Sequence, residues 1–319
     1  MKCLCCAKEI KPDAKAAEIS SKWHQRCVSR FFNTKTLPVL DISDNKLKEL
    51  VKKTVSKGMT VPGVQKKISL HLPDDDHTRF TISDYPAGFI LKPQTEEYAF
   101  LPEYEDLAMR LAEVSGIKTV PHALIGTETG YAYITRRIDR SFKESPQKSL
   151  AMEDFCQLSE RLTFDKYKGS YESCAKIIIR YSKNRRLDIS ELFMRLVFSF
   201  IIGNSDMHLK NFSLIESAPG TREFGLSPAY DLLPVNVILP EDKDETALSL
   251  NGKKRNLTRK DFLCFAVNCD IEKKTAERLT DKMCSLKDKY ISVCRDSFLP
   301  KESQNKVIKL IEDRIRRIG

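Results

Sequence analysis

The sequence predicts an α+β fold in two lobes, the first β-rich and the second helical, with a small cysteine-rich cap in front. Three observations predict it. Residues 60–140 alternate short apolar runs with turn signals, residues beyond 150 carry apolar positions at helical spacing, and residues 1–36 gather cysteines and a histidine. The expected division is therefore a cap at 1–36, a β-rich lobe at 37–140 and a helical lobe at 141–319.

Each element has its own sequence reason. Residues 40–58 are lysine-rich and read as a short helix from Asn45 to Ser56. Lys67 to Leu72 alternates as a half-buried strand does, and Arg79 to Ile82 and Phe89 to Lys92 are short β-rich runs between the turn signals Pro73-Asp74-Asp75 and Pro86-Ala87-Gly88. Glu103 to Ser115 reads as a helix with Leu107, Leu111 and Val114 on one face and Gly116 as its stop. Tyr131 to Ile134 is a further strand. Met152 to Ser159 and Tyr171 to Tyr181 read as amphipathic helices, and Ser190 to Ile202 is apolar enough to be a buried central one. Residues 259–271, 273–297 and 302–318 complete the helical part.

Bulk properties set the limits. The chain has 319 residues, enough for one two-lobed domain or two ordinary ones. With 41% hydrophobic and 31% charged residues it can bury a core and does not belong to the disordered class. The formal charge of +10, from 54 basic and 44 acidic residues, leaves two readings open: a solvated basic surface, or attraction to phosphates. Six of the ten cysteines are scattered from Cys156 to Cys294, unlike the dense framework of a small disulfide scaffold. Met1 to Lys11 contains no apolar signal core, and the apolar run Leu196 to Gly203 falls far short of a membrane span. The expectation is a soluble, reduced, cytoplasmic chain that makes no membrane contact.

Chemistry concentrates after the apolar helix, in Gly203 to Phe212. Asp206 is followed five residues on by Asn211, the spacing of a kinase catalytic loop. An aspartate there accepts or orients the proton of an attacking hydroxyl, and an asparagine oxygen is a hard ligand suited to magnesium. The plainer alternative is a loop whose Asp and Asn cap turns. Asp231, within Tyr230-Asp231-Leu232, stands where a kinase holds its second metal-binding carboxylate, although the triplet is not Asp-Phe-Gly. A turn residue before Pro234 is the competing reading. Lys92 ends the run Phe89-Ile90-Leu91 and could reach phosphates if an acidic partner held it; Glu105 is the natural candidate and Glu103 the alternative. A snorkelling surface lysine is the default for such a residue alone. Thr60 to Leu70 places Gly63 and Gln65 in a polar turn before a strand, where backbone N–H groups could cover phosphates. Phosphate loop, strand lysine, helix glutamate, catalytic loop and metal aspartate occur in kinase order.

Those motifs, with Leu101 to Glu105, Arg137 to Arg140, Met152 to Leu158, Asn204 to Ser213 and Ser227 to Leu233, resemble the HipA family of bacterial serine/threonine kinases, over roughly residues 55–315. The resemblance implies a two-lobed protein-kinase-like fold and use of ATP with magnesium. It implies that Lys92 binds ATP phosphates, that Asp206 is catalytic, that Asn211 and Asp231 hold magnesium, and that Asp139 lies near the nucleotide ribose. His208, Gly63, Gln65 and Glu105 join the nucleotide-binding set. Family members are toxins of toxin–antitoxin systems. Their protein substrates are aminoacyl-tRNA synthetases, and they join a helix-turn-helix antitoxin on operator DNA, so DNA contact would run through that antitoxin. Longer members carry an extra N-terminal β-rich subdomain. This chain looks more like the short form, HipT, in which a separate small protein supplies that piece. Family kinases autophosphorylate a serine of the glycine loop, and the matching position here is Thr60. Two other readings stand beside this one: a small-molecule kinase, and a non-catalytic component of an antitoxin–DNA complex. Lys92, Asp206, Asn211 and Asp231 together argue against a dead scaffold.

The cap adds a separate expectation. Cys3-x2-Cys6 and His24-x2-Cys27, 17 residues apart, offer three thiolates and an imidazole, a donor set suited to tetrahedral zinc. Cys5 is an extra thiol that blurs the assignment, and ordinary buried cysteines are the alternative.

Overall fold

Apolar alternation builds the first sheet. In β1 (Ile68–His71) Ile68 and Leu70 are buried while Ser69 and His71 are partly exposed, the pattern of a strand with one covered face. β1 pairs antiparallel with β2 (Thr81–Ile82) on one side and β3 (Phe89–Pro93) on the other. β3 pairs in turn with β5 (Tyr131–Arg136), which carries β4 (His122–Gly126) at the edge, giving the order β2-β1-β3-β5-β4. The computed structural model describes residues 1–40, 67–73, 79–82, 88–140 and 149–319. The chain divides into two units, Met1–Asp106 with Val120–Ile138, and Leu107–Thr119 with Asp139–Gly319. The expected helix Asn45 to Ser56 lies outside the described residues.

The cap belongs to unit one. Two short helices, Ala16–Ser21 and Gln25–Phe32, end in left-handed residues, Lys22 and Asn33. The Leu4 amide donates to the Lys22 carbonyl at 2.8 Å, and the Leu124 amide of β4 donates to the Leu4 carbonyl at 3.0 Å. Trp23, Phe31 and Phe32 pack with Phe80 and Phe89 in one aromatic cluster, with ring centroids 4.7–6.0 Å apart.

Unit two is mainly helical. Its central helix, Arg185–Ile202, buries Leu192, Phe193, Leu196, Val197, Phe200 and Ile201, each at most 1% exposed. A small antiparallel sheet of order β6-β7-β8 (Met152–Asp154, Ser213–Glu216, Phe224–Leu226) flanks the loop that follows it. The stretch expected as a helix from Met152 to Ser159 divides into β6 and a single turn, Phe155–Leu158. The cause is Asp154, whose carboxylate accepts the Gln157 amide at 2.9 Å and fixes the helix start at Phe155. The expected helix 273–297 breaks at Leu286 into Lys273–Ser285 and Lys287–Arg295. Helices Arg259–Asn268 and Lys301–Ile318 lie close to their expected spans. None of the ten cysteines is joined in a disulfide. Among the described residues no helix is long and apolar enough to cross a membrane.

Candidate active site

In unit one the chemistry rests on β3. The strand is internal to the sheet, with Lys92 opposite Tyr133, so the lysine side chain is buried at 6% exposure. A buried ammonium needs a partner. The helix Leu101–Val114 supplies it: Lys92 Nζ donates to Glu105 Oε1 at 2.7 Å, and Glu105 is fully buried. The ammonium also lies 5.6 Å from the Tyr133 ring centroid. Of the two glutamates, Glu105 is the one that meets Lys92. Glu103 is buried separately, and that burial, reinforced by the charge of Asp106, pushes its carboxyl up to about 7.

In unit two the central helix stops at Gly203, whose φ of +73 is left-handed. A Cβ here would lie 2.3 Å from Leu310 Cδ2, so both conformation and space call for glycine. The loop beyond is pinned by buried Met207, Leu209 and Phe212, and Tyr171 Oη donates to the Met207 carbonyl at 3.0 Å. Between these anchors stand Asp206, His208 and Asn211. The Asp206 amide donates to Asn204 Oδ1 at 3.2 Å. The Asp206 carbonyl accepts the His208 amide at 2.8 Å and Asn211 Nδ2 at 2.8 Å. With its nitrogen committed in this way, Asn211 has its Oδ1 as the atom to offer a hard cation.

The electrostatics of this loop are unusual. Burial raises the Asp206 carboxyl to about 6; the Tyr167 hydroxyl and the Lys166 charge oppose the rise, and the charges of Asp231 and Asp242 add to it. Tyr167 Oη donates to Asp206 Oδ1 at 2.7 Å. Lys166, 5% exposed, holds its ammonium 4.9 Å from the Tyr167 ring centroid. His208 is lowered to about 4, first by burial and then by Lys166, so it is neutral at pH 7. Its Nε2 lies 4.0 Å from Asp206 Oδ2, a contact between a neutral ring and a carboxylate.

Asp231 has a left-handed backbone, φ +58, which a short polar side chain tolerates but which still costs on the order of 1–3 kcal/mol. Its neighbours over-determine that conformation. The Ala229 amide donates to the Lys118 carbonyl at 2.7 Å, Tyr230 Oη lies 2.6 Å from Ser213 Oγ and donates to the Lys210 carbonyl at 3.1 Å, and buried Arg195 donates to the Ser227 carbonyl at 2.7 Å.

Asp206, His208 and Asn211 are thus gathered in one loop, with Asp231 near enough to act on the first two through its charge. Lys92 and Glu105 are brought together in unit one. Asp139 is placed beside Arg140, its Oδ2 3.4 Å from Nη1. Thr60, Gly63 and Gln65 lie outside the described residues. Lys166, Tyr167 and Asp242 were not singled out from the sequence. They come from a different segment than Asp206, and no spacing rule links them to it. In the cap, the ligand atoms of Cys3, Cys6, His24 and Cys27 lie within 4.8 Å of one another.

Comparison of the whole fold points first to a kinase-like architecture. A HipA from Shewanella oneidensis, solved with HipB and operator DNA, superposes with a TM-score of 0.69 at 17% identity, over 84% of this chain and 69% of that one. The proinflammatory kinase CtkA of Helicobacter pylori gives 0.52 at 15% identity, over 72% of this chain and 87% of its own. The HipA-like C-terminal domain family matches residues 59–290, and the chain belongs to that family. A Haemophilus influenzae protein, named only as a candidate kinase, is 26% identical over 291 residues, 83% of each chain. A Sinorhizobium fredii protein named in the same way is 31% identical over 232 residues, 67% of this chain and 54% of its own length.

Proposed function

We propose that this protein is an ATP- and magnesium-dependent kinase that phosphorylates serine or threonine in a protein. The observation that carries the reading is the Asp206–Asn211 loop, in which a half-buried carboxylate is held by Tyr167, the asparagine nitrogen is committed to the Asp206 carbonyl, and a second carboxylate, Asp231, acts on Asp206 through its charge. Asp206 orients the substrate hydroxyl and takes up its proton as the oxygen attacks. Asn211 Oδ1 and the Asp231 carboxylate are hard oxygen donors of the number magnesium accepts from protein while keeping room for phosphate and water. When bound there, the ion supplies neutralisation of phosphate charge. Lys92, fixed by Glu105, contributes a positive charge to the α- and β-phosphates, and neutral His208 and Asp139 serve as further nucleotide contacts.

The S. oneidensis HipA is described in a toxin–antitoxin complex with HipB and operator DNA. By extension this chain acts as a toxin. It would be restrained by a helix-turn-helix antitoxin and by a small separate protein, and would meet DNA only through that complex. An aminoacyl-tRNA synthetase is the first substrate to test, and Thr60, in the loop with Gly63 and Gln65, is the autophosphorylation site. The test is incubation of purified protein with labelled ATP and magnesium beside an Asp206→Asn variant, followed by mapping of the phosphate. Incorporation by the wild type alone, at Thr60, is the expected result. Equal incorporation by both proteins would remove Asp206 from the mechanism, and incorporation elsewhere would remove Thr60.

A further inference from the structure

We infer that the N-terminal cap is a structural zinc site with Cys3, Cys6, His24 and Cys27 as its four ligands, a site that owes nothing to the kinase reading. Tetrahedral zinc with ordinary Zn–S and Zn–N lengths sets its ligands about 3.8 Å apart for two sulfurs and about 3.6 Å for sulfur and nitrogen. His24 Nδ1 lies 3.4 Å from Cys6 Sγ and 3.9 Å from Cys27 Sγ. All four ligand atoms lie within 4.8 Å of one another, close enough for a small inward adjustment to close a tetrahedron.

The surroundings of the four ligands are those of a metal knuckle. His24 Nε2 is 3.1 Å from the Glu9 carbonyl, which fixes the tautomer that leaves Nδ1 as the ligating atom. The His24 amide donates to Cys3 Sγ at 3.4 Å, a contact that favours sulfur in its anionic, metal-binding form. The Ala7 amide donates to the Cys3 carbonyl at 2.9 Å and closes the turn that presents Cys3 and Cys6 together. The Cys27 amide donates to the His24 carbonyl at 2.9 Å as the second helix begins, and so presents the other pair. Two of the ligands, Cys3 and Cys27, are buried, as a closed structural site requires, and no position is left open for catalysis.

The same segment shows what the ion supports. Phe31 and Phe32 leave the helix that starts one residue after His24 and pack on Phe89, with centroids 6.0 and 5.4 Å away. Phe89 opens β3. The zinc therefore fixes the cap that covers one end of the sheet in unit one, a role for a segment too short to hold itself by an apolar core.

Metal analysis of the reduced full-length protein, together with its cobalt-substituted form, tests the assignment. The expected result is about one zinc per chain, replaced by cobalt with the intense visible bands of a tetrahedral, sulfur-rich site. Cys27→Ser should lose that zinc and Cys5→Ser should keep it. Chelation should lower the melting temperature of the wild type and quench or shift the emission of Trp23, the single tryptophan. Because Cys27→Ser could also unfold the cap, the cobalt spectrum of the wild type decides independently. Failure of the wild type to take up zinc or cobalt while Trp23 still reports a buried environment would overturn the proposal. Loss of metal in Cys5→Ser with retention in Cys27→Ser would overturn the ligand set.

Discussion

In unit one Lys92 and Glu105 form a buried ion pair at 2.7 Å on two regular elements. In unit two the Asp206 carboxyl is raised first by burial; Tyr167 and Lys166 oppose the rise, and the like charges of Asp231 and Asp242 add to it. The Asp231 backbone is left-handed as well. The first arrangement joins opposite charges within the fold. The second includes like charges whose repulsion a divalent cation would relieve.

The largest expected effect lies in unit two. Asp206→Asn should cost roughly a hundred- to ten-thousandfold in phosphoryl transfer, the range for loss of a positioned acid–base group. ATP affinity should hold within a few fold, which calorimetry with magnesium and nucleotide can check. If transfer survives, the loop is structural and the contrast between the units collapses.

Breaking the matched pair should act on stability first. Glu105→Ala strands a buried ammonium and should cost about 3–5 kcal/mol in denaturant unfolding. Lys92→Met combined with Glu105→Leu should recover most of that stability while leaving transfer abolished. A double variant no more stable than the single one would mean that the pair's surroundings, not its charges, set the cost.

A smaller effect is expected at Tyr167. Tyr167→Phe removes one charge-assisted hydrogen bond to Asp206, worth roughly tenfold to a hundredfold in transfer. KM for ATP should stay near that of the wild type, because the hydroxyl donates to the Asp206 carboxylate. A change confined to KM would move Tyr167 out of the catalytic loop's support.

The smallest effect is a pH dependence of stability. Burial raises the Glu103 carboxyl from 4.5 to about 7, so the folded state holds that proton more tightly than the unfolded chain. The resulting stability is present in full below pH 4.5 and is lost as pH rises towards 7. Melting temperatures of the wild type should fall relative to Glu103→Gln across that window, and parallel curves would show that Glu103 ionises freely.

Much of this was legible in the sequence, for identifiable reasons. Lys92 sits at the end of an apolar run, and Asp206 and Asn211 follow the most apolar helix in the chain at a fixed spacing, so local pattern alone exposes them. β4 and β7 were not read: His122–Gly126 and Ser213–Glu216 are only five and four residues long, too short for alternation to show, although Pro121 precedes the first and Pro219-Gly220 follows the second. The break at Leu286 has no proline or glycine to announce it. Lys166 and Tyr167 lie about forty residues before the loop they serve, Tyr167 39 positions ahead of Asp206, and only tertiary packing brings them there. The choice between Glu103 and Glu105 was likewise a matter of direction on one helix turn, which spacing does not fix.

We propose that Asn211 and Asp231 form a cation site in unit two. Its most direct test is a manganese titration, followed by electron paramagnetic resonance, in the presence of a non-hydrolysable ATP analogue. Tight, nucleotide-dependent binding by the wild type, lost in Asp231→Asn and strongly weakened in Asn211→Ala, is the expected result. Equal manganese binding by all three proteins would contradict it.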